Sequence, residues 1–245
     1  MAVQKITADF YDIKDVEWPC PNCHQQTLQI IPETFIEKET HQTKNIYGED
    51  WFEPEMIELI FSCMAQCARA KCGEVVACSG VGRVEQDYDP ESGVGYYKAY
   101  RPVSFVPPLH PIEITENCPD EIEEPLIGSF SVYLSQPGSA ANLIRIAVER
   151  LLTAIGVPET RDNGKRIWLG NRLERLSGPY EEYKDLLKAI KFLGNAGSHT
   201  HDSVAVPDIE DAFEIMGHVT NDLFSGRKES LVVLTERLSN KFKDE

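Results

Sequence analysis

The chain has 245 residues, 42% apolar and 26% charged, enough for one large globular domain or two ordinary ones. Its net charge of −16 excludes wholesale wrapping of nucleic acid, which needs many cations facing one way. No apolar run approaches the ~20 residues of a membrane helix, and Met1 to Phe10 lack the apolar core of a signal peptide. A cytoplasmic protein with no membrane partner is therefore expected.

The charge is unevenly spread. Residues 1 to 136 carry 9 Lys and Arg against 23 Asp and Glu, whereas residues 137 to 245 carry 15 against 17. The second half is near neutral and holds a basic run, Arg161, Lys165, Arg166, Arg172 and Arg175. A solvated helix face is the favoured reading of that run, with a local phosphate site as the alternative.

Along the chain the first signals are those of strands and turns. Leu28 to Ile31, Ile57 to Phe61 and Val75 to Ser79 are β-prone runs, separated by turn material at Tyr47 to Asp50 and Asp87 to Gly93. Four prolines between Pro102 and Pro111 then predict an extended connector. After Pro119 the apolar period becomes helical. Helices are expected over Asp120 to Leu134, Ala140 to Ile155 with Ser139 as N-cap, Ile167 to Leu176, Glu181 to Leu193, Ile209 to Phe224 and Leu231 to Phe242. The fold class is thus α+β. A β-rich zinc ribbon-like module over 1–100 leads through a proline-rich connector, 101–118, into an all-α helical bundle over 119–245.

Seven cysteines, an odd number, suit metal ligation in a reducing compartment better than a disulfide framework. Cys20-Pro-Asn-Cys23 forms one close pair, and Cys67 and Cys72, with Gly73 following, form another. Two tight turns with four thiolates converging at ~2.3 Å make a structural zinc site, with no open position for catalysis. Cys63 competes with Cys67 for the ligand role, and His24 competes more weakly. Cys78 and Cys118 read as structural.

In the helical half, Arg145 and Glu149 stand four apart on one helix face, and Lys191, Asn195 and His199 lie within about two turns of one another. Gly194, Gly197 and Ser198 break the helix pattern here, which implies fraying or a close approach to a neighbour. The runs Ala189-Ile-Lys-Phe-Leu-Gly-Asn-Ala-Gly-Ser-His199, Pro207 to Ala212, Ala140 to Leu152 and Asn117 to Ile122 closely resemble a bacterial domain of unknown function, number four-one-four-five. That domain is found alone and fused to type I restriction endonuclease subunits, and it is grouped with the HEPN superfamily, many of whose members are RNases of toxin and antiviral systems.

The resemblance implies a defence-associated module acting as a homodimer, with RNA, a nucleotide or a protein of a defence or restriction system as partner. An active HEPN site has an arginine, then a polar residue such as asparagine, then a histidine a few residues on. Here Asn195 and His199 match, and the arginine position is Gly194. Binding is therefore favoured over catalysis. The alternative is a metal-independent RNase in which His199 moves the proton, Lys191 or Arg145 neutralises the phosphorane, and Asn195 orients the phosphate, with Glu149 paired to Arg145.

Overall fold

The computed structural model describes residues 6–89, 93–197 and 204–243. It divides into two compact units: Gln4–Pro111 with Phe130–Gln136, and Ile112–Ser129 with Pro137–Glu245.

The first unit is a six-stranded antiparallel sheet. Strands β1 (Trp18–Pro19), β2 (Gln26–Ile30), β4 (Glu58–Cys67), β5 (Val75–Asp89) and β6 (Gly93–Val106) follow one another in space, and β3 (Ile36–Glu39) pairs with β4 beyond the end of β2. A six-residue helix, α1 (His41–Ile46), is capped by the Thr40 hydroxyl. On β4 burial alternates strictly, with Leu59, Phe61, Cys63, Ala65 and Cys67 turned to the core. An aromatic cluster closes that core: the Phe61 ring lies 5.6 Å from Phe10 and 5.4 Å from Phe35, and Trp18 lies 4.9 Å from Phe105. His110 is tucked in beside Phe130, with ring centroids 5.4 Å apart. Burial, with the nearby His24 second, lowers its pKa to about 4.

Two expectations change here. Asp87 to Asp89 are not turn but strand, paired with Gly93 to Gly95 in a long β5–β6 hairpin. The strand also runs on through Pro102 to Val106, so the first part of the passage expected as a connector belongs to the sheet. Proline is tolerated because β6 lies at the end of the strand order, where one side of the ladder needs no donor.

The second unit is helical. Its elements are α2 (Asp120–Val132), whose last turn clusters with the sheet unit, α3 (Pro137–Ala154), α4 (Leu169–Leu173), α5 (Lys184–Ala196), α6 (Val206–Phe224) and α7 (Arg227–Phe242). Helix α3 begins at Pro137, so Ser139 is inside the first turn and not its N-cap. Ile144, Val148, Leu151 and Leu152 of α3, Leu187 and Ile190 of α5, and Phe213 and Met216 of α6 are fully buried. Helix α7 does not join that core: Leu231, Val233, Leu238 and Phe242 are each at least half exposed.

Arg172, expected on a solvated face, is 2% exposed. Its guanidinium donates to the Glu149 carbonyl at 3.0 Å, the Val157 carbonyl at 2.8 Å and the Thr153 hydroxyl at 2.8 Å. It satisfies carbonyls at the end of α3, where the helix dipole favours a cation. Helices α3 and α5 meet very closely: a Cβ on Gly194 would lie 2.8 Å from both Cβ and Cδ of Arg145. The close-approach alternative for Gly194 is therefore the one observed.

Gly194→Ala is expected to destabilise the helical unit by about 1–3 kcal/mol, because α3 must shift to admit the methyl group. Urea unfolding followed by circular dichroism reads this. For His110 the folded pKa lies below the ordinary value of 6.5. The unfolded chain therefore binds the extra proton first, and stability is complete above about pH 6.5 and falls as the pH drops towards 4. His110→Gln should flatten that part of the pH–stability curve, measured as urea midpoints at pH 7 and pH 5.

Candidate functional sites: a tetrathiolate cluster and a cationic pocket

Cys20, Cys23, Cys67 and Cys72 converge, their four Sγ atoms all within 4.8 Å of one another. The local backbone explains why. Cys20 accepts from the His24 N–H at 2.9 Å and donates to the Gln25 carbonyl at 2.9 Å, closing a knuckle that turns on the left-handed His24 (φ 57°). The second knuckle turns at Gly73 (φ 63°), whose N–H reaches the Arg69 carbonyl at 3.1 Å. Pairing of β2 with β4 sets Leu28 opposite Cys67 and so brings the two knuckles together.

The distances suit a thiophilic cation. Cys20 and Cys72 sulfurs are 3.6 Å apart and those of Cys23 and Cys67 3.8 Å. A tetrahedron with ~2.3 Å metal–sulfur bonds has edges of about 3.8 Å. The Asn22 amide donates to Cys72 Sγ at 3.4 Å, and the Thr27 hydroxyl lies 3.1 Å from Cys67 Sγ. Burial pushes the Cys20 thiol up to about 12. For Cys23 burial acts the same way, but hydrogen bonds from the Gln25 main chain, Arg69, Cys20 and Cys67 outweigh it and bring the thiol down to about 6. Thiolates packed this closely repel one another, so the set ionises together only around a cation.

Register sets Cys67 in the cluster and Cys63 outside it. Cys63 stands opposite Cys78 across β4 and β5, both are buried, and neither belongs to the cluster. Four residues of strand carry it about 13 Å from Cys67. His24 is also outside the set; its ring lies 5.6 Å from that of His110.

In the helical unit the close α3–α5 contact sets two pairs of residues along one cavity of about 310 Å³, lined by Arg145, Glu149, Arg166, Trp168, Leu169, Gly170, Lys191 and Asn195. Four of the five polar residues singled out in the sequence thus share one pocket. His199, the fifth, lies outside the described residues. Glu149 bridges two arginines, Oε1 accepting from Arg145 at 2.9 Å and Oε2 from Arg166 at 2.7 Å. Among the described residues the buried Nε of Arg145 has no hydrogen-bond partner. Lys191 lies over the Phe192 ring, 4.5 Å from its centroid. The formal balance of the lining is three cations against one carboxylate.

Sequence reasoning left Arg166 within the basic run, with a phosphate site as the alternative reading, and missed Trp168 as a lining residue. Its signal was an aromatic residue inside the basic run, two positions after an arginine. A second cavity of about 410 Å³ shares Glu149 and Arg166 with the first and takes in Arg150, Glu159 and Arg172.

Comparisons with known proteins also divide the chain in two, with the boundary at a somewhat different place. Residues 8–109 match the family described as Domain of unknown function (DUF8608), and residues 129–244 match Domain of unknown function (DUF4145). No curated protein matches. No solved structure matches. Among the described residues no helix is long and apolar enough to cross a membrane.

The protein purified from cells should carry one equivalent of metal per chain by elemental analysis. Cys72→Ser should remove it and lower the melting temperature of the sheet unit by more than ~10 °C.

Proposed function

We propose that the helical unit is a defence-associated, HEPN-like module that binds RNA in the pocket between α3 and α5, and that the sheet unit holds a structural zinc ion on Cys20, Cys23, Cys67 and Cys72. The observation that carries the first part is the convergence of Arg145, Lys191 and Asn195, from two helices, on one cavity with an excess of positive charge. Phosphate oxygens are the natural partners of such a set, because charge-assisted bonds from Arg and Lys are the strong ones. Zinc fits the second part: four thiolates complete its coordination, so the ion props up the knuckles and leaves no position for water or substrate.

The motif that this part of the chain resembles has an arginine where Gly194 stands. The space in which a side chain on residue 194 would begin is filled by the stem of Arg145. A cation thus enters the same neighbourhood from the facing helix. This supports a retained phosphate site without the motif's own arginine, and so favours binding over catalysis. The same reading includes a cytoplasmic homodimer working beside a restriction or toxin–antitoxin partner.

One observation favours a second reading: Asn195 and His199 keep the motif's spacing. In a metal-independent RNase, His199 would take the proton of the ribose 2′-hydroxyl and return a proton to the leaving 5′-oxygen. Lys191 and Arg145 would neutralise the phosphorane between those steps, and Asn195 would hold the phosphate in line.

Fluorescence anisotropy with a labelled RNA pool tests the binding. Wild-type protein should bind, Lys191→Ala should bind about tenfold more weakly, and the logarithm of affinity should fall with log salt at a shallow slope of about −0.7 for each phosphate the pocket holds. No binding by wild type at low salt sinks the proposal. The same pool incubated in magnesium-free buffer beside His199→Ala decides the second reading, since cleavage lost only in that variant establishes the RNase.

A further inference from the structure

Trp168 is 73% exposed, although an indole is the side chain with most to gain from burial. Its main chain is not loose. The neighbours on either side, Ile167 and Leu169, are buried at 2% and 7% exposure. The Ile167 N–H donates to the Glu159 carbonyl at 2.7 Å, and the Trp168 carbonyl accepts from Asn171 and Arg172 at 2.9 and 3.1 Å. Arg172 is itself locked to the end of α3. The indole is therefore presented to solvent from a fixed base, at the edge of a cavity that also holds Arg145, Arg166 and Lys191.

We propose that this pocket takes a single unpaired nucleotide, the base stacked on Trp168 and one phosphate held between Lys191 and Arg166. This rests on the RNA-binding reading above and narrows its ligand to single strands. Three arguments converge. An exposed, rigid aromatic face beside cations is the means by which proteins hold unpaired bases, since every base has a π-face and every nucleotide a phosphate. In a duplex both faces of each base are already covered by neighbours, so Trp168 has nothing to stack on. The cavity, about 310 Å³, is at the small end for ligand sites and suits one nucleotide.

Charge limits the occupant in the same direction. Glu149 neutralises one of the three cations, which leaves an excess of two in the lining, enough for one phosphate and unsuited to a run of them. Asn195, exposed at the α5 end of the pocket, offers an amide that can both donate to and accept from a base edge.

The test uses the full chain carrying Trp51→Phe. That change removes the other exposed tryptophan and leaves Trp168 and the buried Trp18. Titration with a single-stranded oligoribonucleotide should quench the fluorescence, and a duplex of the same length should not. Trp168→Ala should weaken single-strand binding ten- to a hundredfold, and Trp168→Phe should keep most of it. Thermal melts of both variants check that the fold is retained, as an exposed position allows. Equal binding of single strand and duplex, weakened by Lys191→Ala and untouched by Trp168→Ala, overturns the stacking proposal and leaves the phosphate site standing. Failure of the parent protein to bind either RNA overturns both.

Discussion

Helix α5 can lie against α3 as it does because residue 194 has no side chain. A Cβ there would sit 2.8 Å from the stem of Arg145, and one on Gly197 would sit 2.6 Å from the Gly138 carbonyl. Two contacts of this kind, one in the last turn of α5 and one at its C-cap, fix how closely the axes approach there and which faces meet. The cavity residues follow from that. Arg145 and Glu149 are one turn apart on α3, Lys191 and Asn195 one turn apart on α5, and close packing sets the two pairs along one pocket. The cost of glycine in a helix, about 1 kcal/mol each, is offset by the dispersion contacts that close approach allows.

The sheet unit depends on a different closure. Its long hairpin and single buried face form a sound core, but β1 has two residues and β2 five, too few to hold two knuckles in place by pairing alone. Convergence of four thiols at that end supplies what the short strands lack. The first half is acidic overall, and its cavity beside β3, where Lys38, Lys44 and Lys98 face Glu37 and Glu39, is closer to neutral than the pocket of the helical unit, which on the proposed reading leaves the sheet a supporting role.

How far each feature could be read from the sequence depends on whether its cause is local. Helices α3, α5 and α6 follow from a 3.6-residue apolar period and were placed to within a few residues. Cysteine spacing gave the four converging thiols for the same reason, since a tight turn needs its ligands close in sequence. The β5–β6 hairpin was hidden because Asp87 to Gly93 has turn composition and Pro102 reads as a breaker. Only the place of β6 at the end of the sheet makes that proline harmless. Arg172 was misread as exposed because its partners are main-chain carbonyls 15 and 23 residues away, which leave no side-chain signature. Trp168 was passed over, and Arg166 was read as solvated in preference to a phosphate site, because a basic run is most often a solvated face. What distinguishes them is the pinning of the backbone beside them, Ile167 by the Glu159 carbonyl and Trp168 by the Asn171 and Arg172 N–H groups, which the composition of the run does not signal.

Glu149 is the residue whose role is easiest to mistake. On the proposed reading the pocket is a phosphate site, where a carboxylate opposes the ligand and its removal ought to improve binding. Yet Glu149 accepts from Arg145 through one oxygen and Arg166 through the other, and its carbonyl accepts from Arg172. Three guanidinium groups from α3, α4 and the loop between them are held in place by one residue. Without the carboxylate, Arg145 and Arg166 repel and swing towards water, and the order each must regain on binding is lost from the affinity. A half-neutralised but pre-aimed Arg166, acting with Lys191, is the better receptor for the single phosphate of the proposal, where geometry outweighs charge. For a continuous polyanionic surface the balance reverses, and there a carboxylate in the groove would be a defect.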